Sequence, residues 1–153
     1  MARLTIDVDE SISKVWSFLN RLEKIARCFD FIKYGDRTPQ KNTAHWFIRS
    51  EKINDFSSEV LIASIISKTD HGDTKPLEES SLSIKVSNKK IAFQITFHLK
   101  RLSFTRTEIT VVLNNLNEEY LNKFNRAIDT QQFLRNLKKE IETGEIGYWD
   151  FFN

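Results

Sequence analysis

Ile91, Phe93, Ile95, Phe97 and Leu99 alternate with Ala92, Gln94, Thr96, His98 and Lys100. Successive side chains leave opposite faces of a strand, so this spacing makes a half-buried strand with an apolar inner face. The same period recurs on both sides. Leu82, Ile84 and Val86 alternate with Ser81, Ser83 and Lys85, and the run from Phe104 to Leu113 puts Ile109, Val111 and Leu113 on one face. Ser87-Asn88-Lys89 and Lys100-Arg101 separate these runs and read as turns. Strands joined by turns this short pair antiparallel, because parallel neighbours need long crossovers.

The chain before this meander follows the same logic. Leu4, Ile6 and Val8 alternate with Thr5 and Asp7 in a first strand. Ser11 is placed to cap a helix carrying Ile12, Val15, Trp16 and Leu19. A second short helical stretch carries Leu22, Ile25, Ala26 and Phe29. Further strands are expected over Phe31–Tyr34 (closed by Gly35-Asp36), Thr43–Ile53 and Phe56–Thr69, with a hairpin turn at Asn54-Asp55. Asp70 to Pro76 is a loop. Glu118 to Glu142 reads as one long helix of ~37 Å. Its predicted stripe is Tyr120, Leu121, Phe124, Ala127, Ile128, Leu134, Leu137 and Ile141, with Gly144 ending it.

These elements predict one α+β domain over residues 1–153. A curved antiparallel sheet of about seven strands wraps a long C-terminal helix, two short helices follow strand 1, and an aromatic tail spans 144–153. The net charge is +2, with Lys and Arg interleaved among Asp and Glu. A nucleic-acid binder would show a basic stripe, so that partner class is not expected. One cysteine, Cys28, completes no disulfide, metal or redox motif. The strongest apolar stretch, Val60 to Ile66, is seven residues long and includes Ser64, far short of the ~20 residues of a membrane span. With no signal-peptide pattern at the start, a cytoplasmic location is expected.

The order strand, two small helices, strands, long helix resembles the START-like (SRPBCC, helix-grip) superfamily, which includes birch-pollen allergens, polyketide cyclase-like proteins and lipid-transfer START domains. Within it the opening Asp7-Val8-Asp9-Glu10-Ser11-Ile12-Ser13-Lys14-Val15-Trp16-Ser17-Phe18-Leu19 is similar to the carbon monoxide dehydrogenase G-subunit family. A Thr near the start of the last strand, Thr105 or Thr107, and the long helix after it add to that likeness. The sequence departs from the family at Cys28-Phe29-Asp30, where a Pro-Gly is common, and at Asn114-Asn115-Leu116-Asn117, where a Gly is usual. The resemblance implies an apolar ligand held between sheet and helix.

On the predicted inner faces, Ile84, Phe93, Ile95, Phe97, Thr107, Ile109 and Val111 from the sheet, and Phe124, Ile128 and Gln131 from the helix, are the candidate ligand-binding residues. The alternative is a filled core, which twelve Phe are well suited to pack. Gln131 falls within the predicted apolar stripe, where a buried amide needs a partner. Phe133 falls opposite that stripe. With Trp149, Phe151 and Phe152 of the tail it forms a candidate surface for self-packing or for a second subunit or protein.

Three readings follow. The first is a carrier or sensor of a small apolar molecule. The second is a cyclase- or hydrolase-type enzyme using Glu59, Thr107 and Gln131 around one spot. The third is a non-catalytic assembly factor like the G-subunit proteins of carbon monoxide dehydrogenase. No cofactor and no catalytic residue is assigned. The histidines His45, His71 and His98 have no His or Cys at ligand spacing, and Asp70-His71-Gly72-Asp73 reads as a turn rather than a metal site.

Overall fold

The computed structural model describes residues 2–48, 60–69, 78–89, 91–115 and 129–143. In chain order the elements are β1 (Ala2–Val8), α1 (Ile12–Leu19), α2 (Leu22–Ala26), β2 (Ile32–Arg37), β3 (Thr43–Ile48), β4 (Val60–Thr69), β5 (Glu79–Ser87), β6 (Ala92–Ser103), β7 (Arg106–Asn115) and α3 (Thr130–Thr143). The strands form one antiparallel sheet in the order β1-β7-β6-β5-β4-β3-β2. From β2 onward each strand pairs with the next in sequence. The first strand then closes against the last, so β1 and β2 are the two edges and α1 and α2 connect them.

Local chemistry sets the element ends. Ser11 Oγ accepts the Lys14 amide at 3.2 Å, the expected cap of α1. Asp129 Oδ1 accepts the Gln132 amide at 3.0 Å and caps α3 in the same way. Asn88 closes the β5–β6 turn twice. Its amide donates to the Ile91 carbonyl and its Oδ1 accepts the Ile91 amide, both at 2.8 Å.

Two expected turns lie elsewhere. Lys100-Arg101 is strand, not turn: β6 runs on to Ser103, Lys100 pairs with Glu108, and the chain reverses at Phe104-Thr105. The Arg101 guanidinium sits 4.3 Å from the centre of the Phe104 ring, so the two charged residues belong to the strand stem and the aromatic to the tip. Gly35 does not close β2 but lies within it, opposite Trp46. A Cβ there would meet Ala26 Cβ at 2.8 Å and Glu23 Cα at 3.1 Å, so the glycine lets α2 rest directly on the strand. The remainder of the expected Thr43–Ile53 and Phe56–Thr69 strands, the Asn54-Asp55 turn and the Asp70–Pro76 loop lie outside the described residues.

The helix α3 covers the inner face with Phe133, Leu134, Leu137 and Ile141, all buried. Polar contacts fix it to the β1 end. Lys138 Nζ donates to the Asp7 carbonyl at 3.1 Å, and the Asp9 amide donates to Glu142 Oε2 at 2.7 Å. The predicted phase of this helix needs correction. Gln131 is exposed and Phe133 is buried. On one uninterrupted helix, the stripe drawn through Tyr120–Ile128 points about a third of a turn away from Phe133, Leu134, Leu137 and Ile141. Pooling the two sets placed Gln131 in the middle and Phe133 outside. The described helix takes its phase from the second set alone, after the Asp129 cap. Residues 118–128 lie outside the described residues.

Candidate functional site

The inner face of the sheet is built by alternation. On β5 it presents Leu82, Ile84 and Val86; on β6 Phe93, Ile95, Phe97 and Leu99; on β7 Ile109, Val111 and Leu113. None is more than 6% exposed. The register aligns them in cross-strand rows, such as Ile84–Ile95–Leu113 and Leu82–Phe97–Val111. All six sheet hydrocarbons predicted to line a ligand site (Ile84, Phe93, Ile95, Phe97, Ile109 and Val111) therefore share one buried face. Phe124 and Ile128 lie outside the described residues, and the exposed Gln131 is not part of that face.

An aromatic cluster occupies part of the grip. Phe29 stacks on Phe133 at 4.1 Å between ring centres, and meets Trp46 at 5.7 Å, Phe31 at 5.5 Å and Phe93 at 6.3 Å. Phe97 approaches Phe133 at 6.3 Å. Trp46 Nε1 donates to the Leu22 carbonyl at 3.1 Å, so the indole is polar-satisfied inside the cluster. Several of the phenylalanines counted in the sequence thus pack this corner, where α2, the start of β2 and α3 meet the sheet.

Few polar groups enter the interior. Thr107 is fully buried, and its hydroxyl donates to the Glu10 carbonyl at 2.8 Å, tying the start of β7 to the turn after β1. Cys28 is buried, with Sγ 3.8 Å from the Lys24 carbonyl. Burial holds its thiol well above the ordinary value of 9.0; the Glu140 carboxylate adds to the rise and Arg27 opposes it. A thiol held protonated is a poor nucleophile.

Ser80 is the residue the sequence reading missed. It pairs with Leu99 and extends the inner row Leu99–Ile109 onto β5. It is 5% exposed, and its Oγ is buried without a hydrogen-bond partner. The signal was present in the period, because Ser80 is in phase with Leu82, Ile84 and Val86. The alternation read from the sequence began at Ser81 and did not extend back to Ser80.

The polar residues put forward for an enzyme do not meet at one spot among the described residues. Thr107 is engaged with backbone, Gln131 is on the outside of α3, and Glu59 lies outside the described residues. Among the described residues no three His, Cys, Asp or Glu side chains are grouped to hold a metal ion. His45 and His98 face outward from the sheet, and His71 lies outside the described residues. Phe133, expected on a docking surface, is buried; its proposed companions Trp149, Phe151 and Phe152 lie outside the described residues. Among the described residues no helix is long and apolar enough to cross a membrane.

No protein-family model matches the chain. No curated protein matches it in sequence. Solved structures do match in shape. A START superfamily protein from Mycobacterium smegmatis superposes with a TM-score of 0.60 at 14% identity, covering 92% of this chain and 95% of that one. The fold is the START-like helix grip. A protein from Deinococcus radiodurans gives a TM-score of 0.61 at 11% identity over 94% of this chain and 98% of its own. The di-domain ARO/CYC StfQ from the steffimycin biosynthetic pathway gives 0.61 at 14% identity over 95% of this chain, which spans 46% of that protein. Likeness at such identity establishes the fold and leaves function to the site.

Proposed function

We propose that this chain binds a small apolar molecule between the inner face of β5–β7 and the C-terminal helix, as a carrier or sensor. The observation that carries the reading is the composition of that face. Its rows are hydrocarbon withdrawn from water, and Ser80 alone among their described residues offers a hydroxyl without a partner. A buried hydroxyl left unsatisfied costs ~1–3 kcal/mol. The polar end of a ligand bonded to Ser80 Oγ would offset that cost. The ligand is therefore mostly hydrocarbon, lipid-like or aromatic, with one hydrogen-bonding group. Ile84, Phe93, Ile95, Phe97, Ile109 and Val111 are its proposed lining. The helix-grip fold, shared with the Mycobacterium smegmatis START protein and the ARO/CYC di-domain, supports the reading as an analogy.

A space-filling variant tests it. Leu113 sits on the inner face beside Ile95, in a row separate from the Phe97–Phe133 contact. If that row borders a ligand space, Leu113→Trp projects into it, abolishes binding of a fluorescent fatty acid and leaves the melting temperature nearly unchanged. If the row is solidly packed, the same change overpacks the core, costs ~1–3 kcal/mol and lowers the melting temperature. The second result overturns the reading.

A further inference from the structure

The outer face of the sheet carries a second, polar feature. Glu79, Ser81, His98, Lys100, Glu108 and Thr110 line a cleft of about 460 Å³, to which Thr69, Ser80 and Leu99 also contribute; that is within the usual range of about 300–1,000 Å³ for small-molecule sites. The register explains the grouping. Ser81, His98 and Thr110 are directly opposite one another on β5, β6 and β7, and Glu79, Lys100 and Glu108 form the next row. Alternation puts both rows on the face away from the core.

The two rows differ in chemistry. In the first, His98 lies between two hydroxyls. The Ser81 hydroxyl also meets Thr69 Oγ1 at 3.0 Å, and the Thr110 hydroxyl meets Thr5 Oγ1 at 3.0 Å, which orients both. In the second, Lys100 lies between two carboxylates. Among the described residues, His98, Lys100, Glu79 and Glu108 make no side-chain hydrogen bond, and none of the ion pairs within 4.0 Å includes them. Their donors and acceptors are open to the cleft.

Charge order selects the ligand class. An anion drawn to Lys100 would lie beside Glu79 and Glu108, and a cation drawn to either carboxylate would lie beside Lys100. A neutral molecule rich in hydroxyls meets no such conflict. Each hydroxyl donates to a carboxylate while accepting from the ammonium, the imidazole or a Ser or Thr hydroxyl. The grid has a mesh of about 5 Å across the strands and about 7 Å along them, so a single polyol ring reaches several of its corners. We propose that this outer cleft of β5–β7 is a binding site for a neutral polyhydroxylated small molecule, a sugar or cyclic polyol, with Lys100, Glu79, Glu108 and His98 as its contacts.

An amide-resolved NMR titration of the full chain with D-glucose, myo-inositol and trehalose, each to about 50 mM, tests the site at concentrations that fill any site of millimolar affinity. Saturable shifts are expected from at least one of the three, confined to residues 79–81, 98–100 and 108–110. Lys100→Met and Glu108→Gln each weaken that response about tenfold, the loss of one charge-assisted hydrogen bond. Lys85→Met, an exposed change on the same face outside the cleft, leaves it unchanged. No shift with any of the three polyols overturns the proposal. So does a stronger response of the same amides to inorganic phosphate or glycine.

Discussion

The Phe133 ring lies flat on Phe29, with centres 4.1 Å apart and planes 14° from parallel. One ring comes from the first turn of the C-terminal helix and the other from the turn that follows α2. The contact joins the segment after α2 to the start of the C-terminal helix. It is reinforced nearby by Asn136 Nδ2, which donates to the Cys28 carbonyl at 3.0 Å.

Phe133→Ala should therefore lower stability by ~3–5 kcal/mol, the usual cost of removing a buried phenylalanine. Chemical denaturation checks the figure, and size-exclusion chromatography of the native variant should show the wild-type oligomeric state. A change in oligomeric state with unaltered stability would place Phe133 on a docking surface instead.

Gly35→Ala should destabilise by ~1–3 kcal/mol, because the new methyl has no room beside Ala26 and the Glu23 backbone. Ala26→Gly in the same chain removes the nearest obstruction. In a double-mutant cycle the pair should be less destabilised than the sum of the two single changes. Simple additivity would mean that the helix–strand contact does not limit the site.

Thr107→Val keeps the shape and removes the hydroxyl that donates to Glu10. A loss of ~0.5–1.5 kcal/mol is expected, with apolar-probe affinity unchanged. Lost affinity at unchanged stability would show that Thr107 serves the ligand and not the β1–α1 turn.

Cys28 gives a pH dependence with a definite sign. Its folded thiol titrates above its unfolded value, so the folded state holds the proton more tightly. The stability this represents is complete below the ordinary value of 9.0 and declines as pH rises through and beyond it. Cys28→Ser should flatten the alkaline limb of a stability–pH curve. Labelling of wild-type Cys28 by a thiol reagent should proceed only as fast as the protein opens.

Much of this fold was legible in the sequence because the sheet obeys a period of two. Ile91 to Leu99 reads inside or outside residue by residue, and every position of that strand lies as its phase predicts. The β6–β7 turn was misplaced because its signal is weak. Ser103-Phe104-Thr105 contains no Gly, Pro or Asn, whereas Lys100-Arg101 has the polarity of a turn while sitting in the ladder. Gly35 misled in the opposite way, since a glycine required by a neighbouring helix looks the same in sequence as one required by a turn. The helix face depends on where the phase starts. Asp129 sets that start locally, and a stripe pooled from residues 120 to 141 could not register it. Ser80 needed the three-dimensional register, because its missing partner is a fact of contacts and not of pattern.

Native mass spectrometry of the freshly purified protein, with solvent extraction of whatever it carries, shows whether the grip holds an apolar molecule. A stoichiometric adduct is expected that extracts as a mostly hydrocarbon molecule with one polar group and is absent in Leu113→Trp. A spectrum of bare chain, unchanged after incubation with fatty acids and aromatic polyketide-like compounds, would contradict it.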